Sequence, residues 1–441
     1  MLIRTTIAAV IAVAALTTLA FAAKPNPEPL LLTQDQQEVD ALALSLRDAP
    51  AVKAARAEAL ERWQQLRSAS TKDGKATVQG AVDEAVYATL RATAANDPAN
   101  PRVIWTVAPP YDNGGEQVPG SRVGGDSPDR IYRAFAVDPK YTYEIHGQRR
   151  AKPSLAEFTF EAWPLPLIIG YPQATLTSKD IDVGADGRFV VTLDTQPTNG
   201  RRNHLQLLPG TATIFLRDTL SDWSSQLPNE LVVKRAGGPD ATPRDSAAVV
   251  KQAAEQIRAT ATDTIKFIDW AWKDPANQIT PLVRPQEWGV QGAVVSVNRF
   301  SIKNDEALVI TVDRIGAKYI GFQLTDPWLR SVDYWAHNSS LSDRQAKATA
   351  DGTFTYVIAP RDPGVHNWLD TGGLNDGDVL VRWEGISGKP AVEKAVRSAR
   401  LVKLTELSAA LPPNTPRVDP SERKRLLAAR TAEYRVRVAQ Q

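Results

Sequence analysis

With 441 residues, 43% of them hydrophobic and 23% charged, the chain has the make-up of a folded globular protein and not of a disordered one. Its 52 lysines and arginines nearly balance 50 aspartates and glutamates, giving a net charge of +2 with both signs interspersed, which leaves no electrostatic footprint for nucleic acid. The absence of cysteine excludes disulfides, thiolate nucleophiles, cysteine-ligated zinc and a lipidated cysteine.

Residues 1–23 read as an export signal. Arg4 precedes an apolar stretch from Ile7 to Leu19, and Ala20-Phe21-Ala22 supplies the small residues of a signal-peptidase site. Cleavage near Ala22 predicts a periplasmic or secreted protein, and no later segment is apolar enough to span a membrane. Residues 24–98 hold a proline-rich spacer and the N-terminal helices. Thr33 is the expected cap of a helix from Gln34 that breaks at Ala49-Pro50 and resumes toward Leu66. Val78, Val82, Val86 and Leu90 then form one stripe of a helix over 77–94.

In residues 99–238 the period changes from helix to strand. Short runs at 141–145, 157–162, 188–193, 211–216 and 231–234, rich in β-branched and aromatic residues, lie between Gly, Pro, Asn and Asp clusters. Residues 239–275 form a linker and a long helix over 243–272 with Val249, Ala253, Ile257, Ala261, Ile265, Ile268 and Trp272 on its buried face. Residues 276–410 return to strands, at 293–300, 308–313, 318–324, 353–358, 379–383 and 400–404. Residues 411–441 are a proline-rich exit and a charged helix over 420–438, with Ser421 as its expected cap. Its basic run from Arg423 to Arg437 reads as a solvated face.

The two strand-rich regions share a spacing. Asp186-Gly187, Asn203-His204-Leu205 and Arg217 in the first match Asp351-Gly352, Asn367-Trp368-Leu369 and Arg382 in the second. From Asp-Gly to Arg is 217 − 186 = 31 residues in one and 382 − 351 = 31 in the other. An internal duplication follows. The expected fold is mainly β with accessory helices: two tandem antiparallel β-sandwich, jelly-roll-like units, each preceded by a helix.

Candidate chemistry concentrates in the second unit. In the loop from Asp362 to Gly373, Asp362, His366, Asn367 and Asp370 surround Trp368, and the acids and the histidine are the candidate catalytic groups. Asn367 and Asp370 would otherwise serve to satisfy the backbone of an irregular loop, with Trp368 plugging the core. Tyr334, Trp335 and Asn338 form a second polar-aromatic segment suited to a sugar or small amphiphile. Arg217 and Arg382 close matching strands, either to clamp an anion or to pair with an acid such as Asp218 or Asp362.

Other chemistries find less support. Gly124-Gly125-Asp126-Ser127-Pro128-Asp129 is a glycine-rich turn outside any βαβ context and argues little for phosphate binding. The four histidines have no short ligand spacing, although folding could join His337 and His366, so neither a metal nor a cofactor is expected. No Gly-x-Ser-x-Gly is present.

The stretch through Asp326-Pro327-Trp328, Asp333-Tyr334-Trp335, Asp351-Gly352, Asp362-Pro363-Gly364, Asn367-Trp368-Leu369-Asp370 and Arg382-Trp383 resembles the bacterial family catalogued as domain of unknown function 1214. The segment from Gly125 to Tyr143 looks like the region that precedes it in long members. The resemblance implies a β-sandwich and assigns no activity. Three functional readings stay open: a binding protein that takes a sugar or small amphiphilic or anionic molecule through Tyr334, Trp335, Asn338, Asn367, Trp368 and Arg382; a hydrolase or lyase using Asp362 and Asp370; and a structural envelope protein.

Overall fold

The computed structural model describes residues 30–113, 115–150, 155–164, 172–241, 244–283 and 293–438. The export signal, most of the spacer and the stretch around Trp288 lie outside them.

The helices begin where the chain offers an oxygen to orphan amides. Thr33 accepts from the Gln36 amide at 3.2 Å and opens α1 (Gln34–Leu46). Pro50, which has no N–H to leave unpaired, opens α2 (Pro50–Trp63). Thr71 caps α3 (Lys72–Ala94) through the Gly74 amide at 2.9 Å, and Asp245 caps α4 (Ser246–Ala271) through Ala248 at 2.8 Å. Val78, Val82, Val86 and Leu90 on α3 and Val249, Ala253, Ile257, Ala261 and Ile268 on α4 are buried in one common core with α1 and α2. The helices therefore form a single layer, and neither α3 nor α4 is private to the unit it precedes.

The first β unit comprises β1 (Ile104–Val107), the hairpin β2 (Tyr111–Asn113) and β3 (Glu116–Val118), β4 (Arg130–Ala136), β5 (Thr142–Gln148), β6 (Glu157–Trp163), β7 (Ala174–Thr177), β8 (Arg188–Asp194), β9 (His204–Gln206), β10 (Thr213–Thr219) and β11 (Glu230–Gly237). Its two main sheets run β1-β4-β10-β6-β7 and β11-β5-β8-β9. The second comprises β12 (Leu282–Val283), β13 (Val294–Ser301), β14 (Glu306–Val312), β15 (Tyr319–Thr325), β16 (Ser340–Ser342), β17 (Phe354–Ala359), β18 (Trp368–Asp370), β19 (Asp376–Glu384) and β20 (Val396–Lys403). Its sheets run β12-β13-β19-β15-β16 and β20-β14-β17-β18, the same order strand for strand. Each unit encloses its own apolar core drawn from both sheets, as a sandwich requires: Phe160, Val191 and Ile214 in the first, Phe322, Tyr356 and Val381 in the second.

The sheets are antiparallel, as expected, except for one parallel pair at an edge of each unit. β8 and β9 pair in parallel, Thr192 opposite His204, and β17 and β18 do the same, Val357 opposite Trp368. A shared clamp fixes both edges. The Asn203 side chain accepts from the Asp182 amide and donates to the Asp182 and Val190 carbonyls, while that of Asn367 accepts from the Lys347 amide and donates to the Lys347 and Thr355 carbonyls. The repeated asparagine is therefore a backbone-satisfying device.

The chain ends with the short α5 (Leu407–Ala410), whose Leu407 covers the outer face of the second unit with Leu411, and with α6 (Pro420–Val438). Asp419, not Ser421, caps α6, accepting from the Glu422 amide at 2.8 Å. The solvated-face reading of α6 holds for Lys424, Arg425 and Arg435, which are exposed, and fails for the opposite stripe. Arg423, Arg430 and Arg437, seven residues apart on one stripe, are 5%, 6% and 0% exposed, and Tyr434 is 4% exposed.

Candidate functional site

The loop from Asp362 to Gly373 is committed to structure. Arg423 of α6 donates to Asp362 at 2.9 Å and lies over the Trp368 ring, 5.1 Å from its centre. Trp368 is buried and donates to the Ala359 carbonyl at 2.9 Å, and its own carbonyl accepts from Asn338. His366 is buried beside Asn367, at 3.1 Å, and burial pulls its pKa down. Asp370 bonds His337 at 2.8 Å and the Gly372 amide at 2.9 Å. The two acids thus have separate basic partners and are not joined as an acid–base pair. His337 and His366 likewise turn to different partners, and among the described residues no group of three or more His, Asp or Glu side chains is arranged to hold a metal.

The Asp370 hydrogen bond raises the His337 pKa above its ordinary value. A raised histidine contributes stability that is fully present below pH 6.5 and is lost as pH climbs through the raised value. The gap in Tm between the protein and its Asp370→Asn variant should therefore narrow from pH 5 to pH 8, within the range in which histidine titrates. A gap independent of pH would show that the pair does not form.

The matched arginines pair across strands. Arg217 donates to Glu161 on β6, not to Asp218, which instead receives Arg133. Arg382 donates to Gln323 on β15 and, at 2.6 Å, to the Gly125 carbonyl of the first unit, while Asp362 receives Arg423. Arg382 is an inter-unit tie, and the glycine-rich turn is its receptor. Gly125 has φ +72°, and a Cβ there would lie 2.6 Å from Leu380, so glycine is what lets the turn enter the second unit. Asp126 follows, accepting from the Ser331 amide and hydroxyl at 3.0 and 2.7 Å, and burial pushes its pKa up to about 6.

Tyr334 and Trp335 sit at this seam between the units, where α6 lies over them. The Tyr334 carbonyl accepts from Arg430 and that of Trp335 from Thr431. Their rings meet Tyr434, at 5.7 and 5.8 Å between centres, and Trp223 of the first unit comes edge-on to Tyr334 at 6.0 Å. Arg430 and Arg437 lie 4.4 and 4.2 Å from the centre of the Trp223 ring, and Arg122 lies 5.3 Å from that of Trp335. Trp335 alone of the four rings is only partly buried. Of the predicted binding residues, Tyr334 and Trp335 belong to this cluster, whereas Asn338, Asn367 and Trp368 hold the neighbouring loop and Arg382 ties the units below it.

Trp223, Arg430, Tyr434 and Arg437 were missed from sequence. The available signal was the seven-residue recurrence of Arg423, Arg430 and Arg437. It was read by polarity as a solvent face, because nothing local distinguishes an arginine that stacks on a buried ring from one that is hydrated.

No protein-family model matches the chain, and no curated protein matches it. Among solved structures, an uncharacterised protein from Burkholderia cenocepacia is similar in fold, with a TM-score of 0.68 and 23% identity over 86% of this chain and 100% of that one. A Vibrio parahaemolyticus protein aligns over 63% of this chain and 90% of its own, at 10% identity and a TM-score of 0.40. The first likeness establishes the shared fold alone.

Proposed function

We propose that the chain is an exported, non-catalytic binding protein of the periplasm or exterior, related to the domain of unknown function 1214 family. Its ligand seat is the aromatic seam beneath α6, and the ligand is a sugar or a small amphiphilic or anionic molecule. The observation that carries this reading is the convergence of Trp223, Tyr334, Trp335 and Tyr434 from both units and the terminal helix, with Trp335 partly exposed at the rim. Ring faces bind apolar surfaces of a ligand, and the flanking guanidiniums choose its polar groups. The engagement of Asp362 and Asp370 by Arg423 and His337 weighs against the hydrolase or lyase reading in that loop.

The test is a thermal-shift screen of sugars, small amphiphiles and organic acids on the processed protein, since a ligand of the native state raises Tm by mass action. At least one compound should stabilise it, and Trp335→Ala should abolish the shift. A full shift retained in that variant would move the seat elsewhere, and no shift from any compound would favour the structural envelope reading.

A further inference from the structure

The seam holds buried guanidinium donors that no acceptor meets. Arg437 is fully buried, and its Nη1 donates to the Pro128 carbonyl at 2.6 Å, but its Nε and Nη2 have no hydrogen-bond partner. Arg430 is 6% exposed and spends its donors on the Tyr334 carbonyl and on the Ser340 hydroxyl at 2.6 Å. Among the described residues neither forms an ion pair. The carboxylate that acts on both is Asp129, itself wholly buried and already held by the Tyr319 hydroxyl at 2.7 Å and the Trp223 indole at 2.9 Å. One turn of α6 before Arg437, the buried Tyr434 hydroxyl also lacks a partner. Two buried guanidiniums thus share one buried carboxylate, with the half-buried Glu433 acting on Arg430 alone, and three polar groups are left unmet.

Buried donors left unpaired are costly, and charged ones most of all. The unmet edge of Arg437, Nε with Nη2, is the side of a guanidinium that receives two oxygens at once from a carboxylate, phosphate or sulfate. Aromatic rings on its faces keep water from screening such a pair. Resting on the binding reading above, we infer that the ligand carries an oxyanion group, a carboxylate, phosphate or sulfate, that seats on the Nε–Nη2 edge of Arg437 beside the Tyr434 hydroxyl. Because α6 supplies Arg430, Tyr434 and Arg437, anion binding also holds this helix on the two β units.

The test compares inorganic phosphate, sulfate and benzoate with chloride at equal ionic strength, and with neutral sugars, reading Tm and hydrogen exchange across residues 420–438. At least one oxyanion should give a saturable rise in Tm and slow exchange in α6, where chloride does neither. Which of the three does so separates a tetrahedral dianion from a carboxylate. Arg437→Lys should raise its apparent Kd at least about tenfold, because an ammonium cannot bond two oxygens side by side. Tyr434→Phe, which removes a buried hydroxyl with no hydrogen-bond partner, should leave basal Tm unchanged or higher while weakening the anion several-fold. Unaltered anion affinity in both variants would overturn the inference. A neutral sugar that stabilises through Trp335 while no oxyanion does would overturn it and leave the binding reading standing; no response to either class would remove both.

Discussion

Arg91→Met should lower the stability of the protein by about 3–5 kcal/mol, the range for breaking a buried ion pair by removing one partner. Arg91 has no exposed surface. Its Nε donates to Asp40 at 2.9 Å, Nη1 to the Trp105 carbonyl at 3.1 Å and the Ser121 hydroxyl at 2.7 Å, and Nη2 to the Tyr111 hydroxyl at 3.1 Å. Asp40, 1% exposed, also receives the Tyr87 hydroxyl at 3.0 Å and the Gln36 amide at 3.2 Å. One guanidinium thereby joins α1, α3 and the strands that open the first unit. Removing it leaves a carboxylate without a counter-charge in the interior, a larger penalty than the pair's own net worth. Adding Asp40→Leu should restore part of the loss. Urea unfolding measures both, and a loss for Arg91→Met below about 1 kcal/mol would mean that the network does not exist in solution.

Glu84→Ala should cost a similar 3–5 kcal/mol, for a related reason with a different reach. Glu84 on α3 accepts from the Arg122 amide at 3.0 Å, from Arg122 Nε and Nη2 at 2.9 and 2.6 Å, and from Arg330 at 3.0 Å. Arg122 precedes β4 of the first unit and donates onward to the Ser331 carbonyl at 2.8 Å and to Asp333 at 2.7 Å in the second. A single carboxylate therefore clasps the helical layer to both sandwiches. Its loss should lower the urea midpoint and separate the unfolding seen by the seam tryptophans from loss of helix seen by circular dichroism. Coincident transitions with an unshifted midpoint would show that the three parts are joined elsewhere.

These two residues also show why much of the interior was illegible. Arg91 and Glu84 lie on a helix whose apolar stripe of Val78, Val82, Val86 and Leu90 was plain, yet local pattern says nothing of a charged side chain buried on another face. Strand β4 was overlooked for the same cause: Arg130 and Arg133 break its apolar run, and both are buried against Glu384 and Asp218, 254 and 85 residues away. Asn203 and Asn367 were visible as a repeat. A backbone-satisfying role was one of two options for Asn367 alone, because the choice depends on which carbonyls the parallel edge strands bring within reach.

Period and composition by themselves determined the two strand-rich stretches, their duplication and the helix starts at Thr33 and Pro50, since these rest on spacing, on capping oxygens and on the backbone limits of proline. Only the tertiary structure decided that the helices share one layer, that Arg382 and the glycine-rich turn tie the units together, and that the last helix lays Arg430 and Arg437 against a seam of rings. The physical reason is that a charge enters the interior only when distant segments supply its partners, and the chain's local pattern holds no record of which segments those will be.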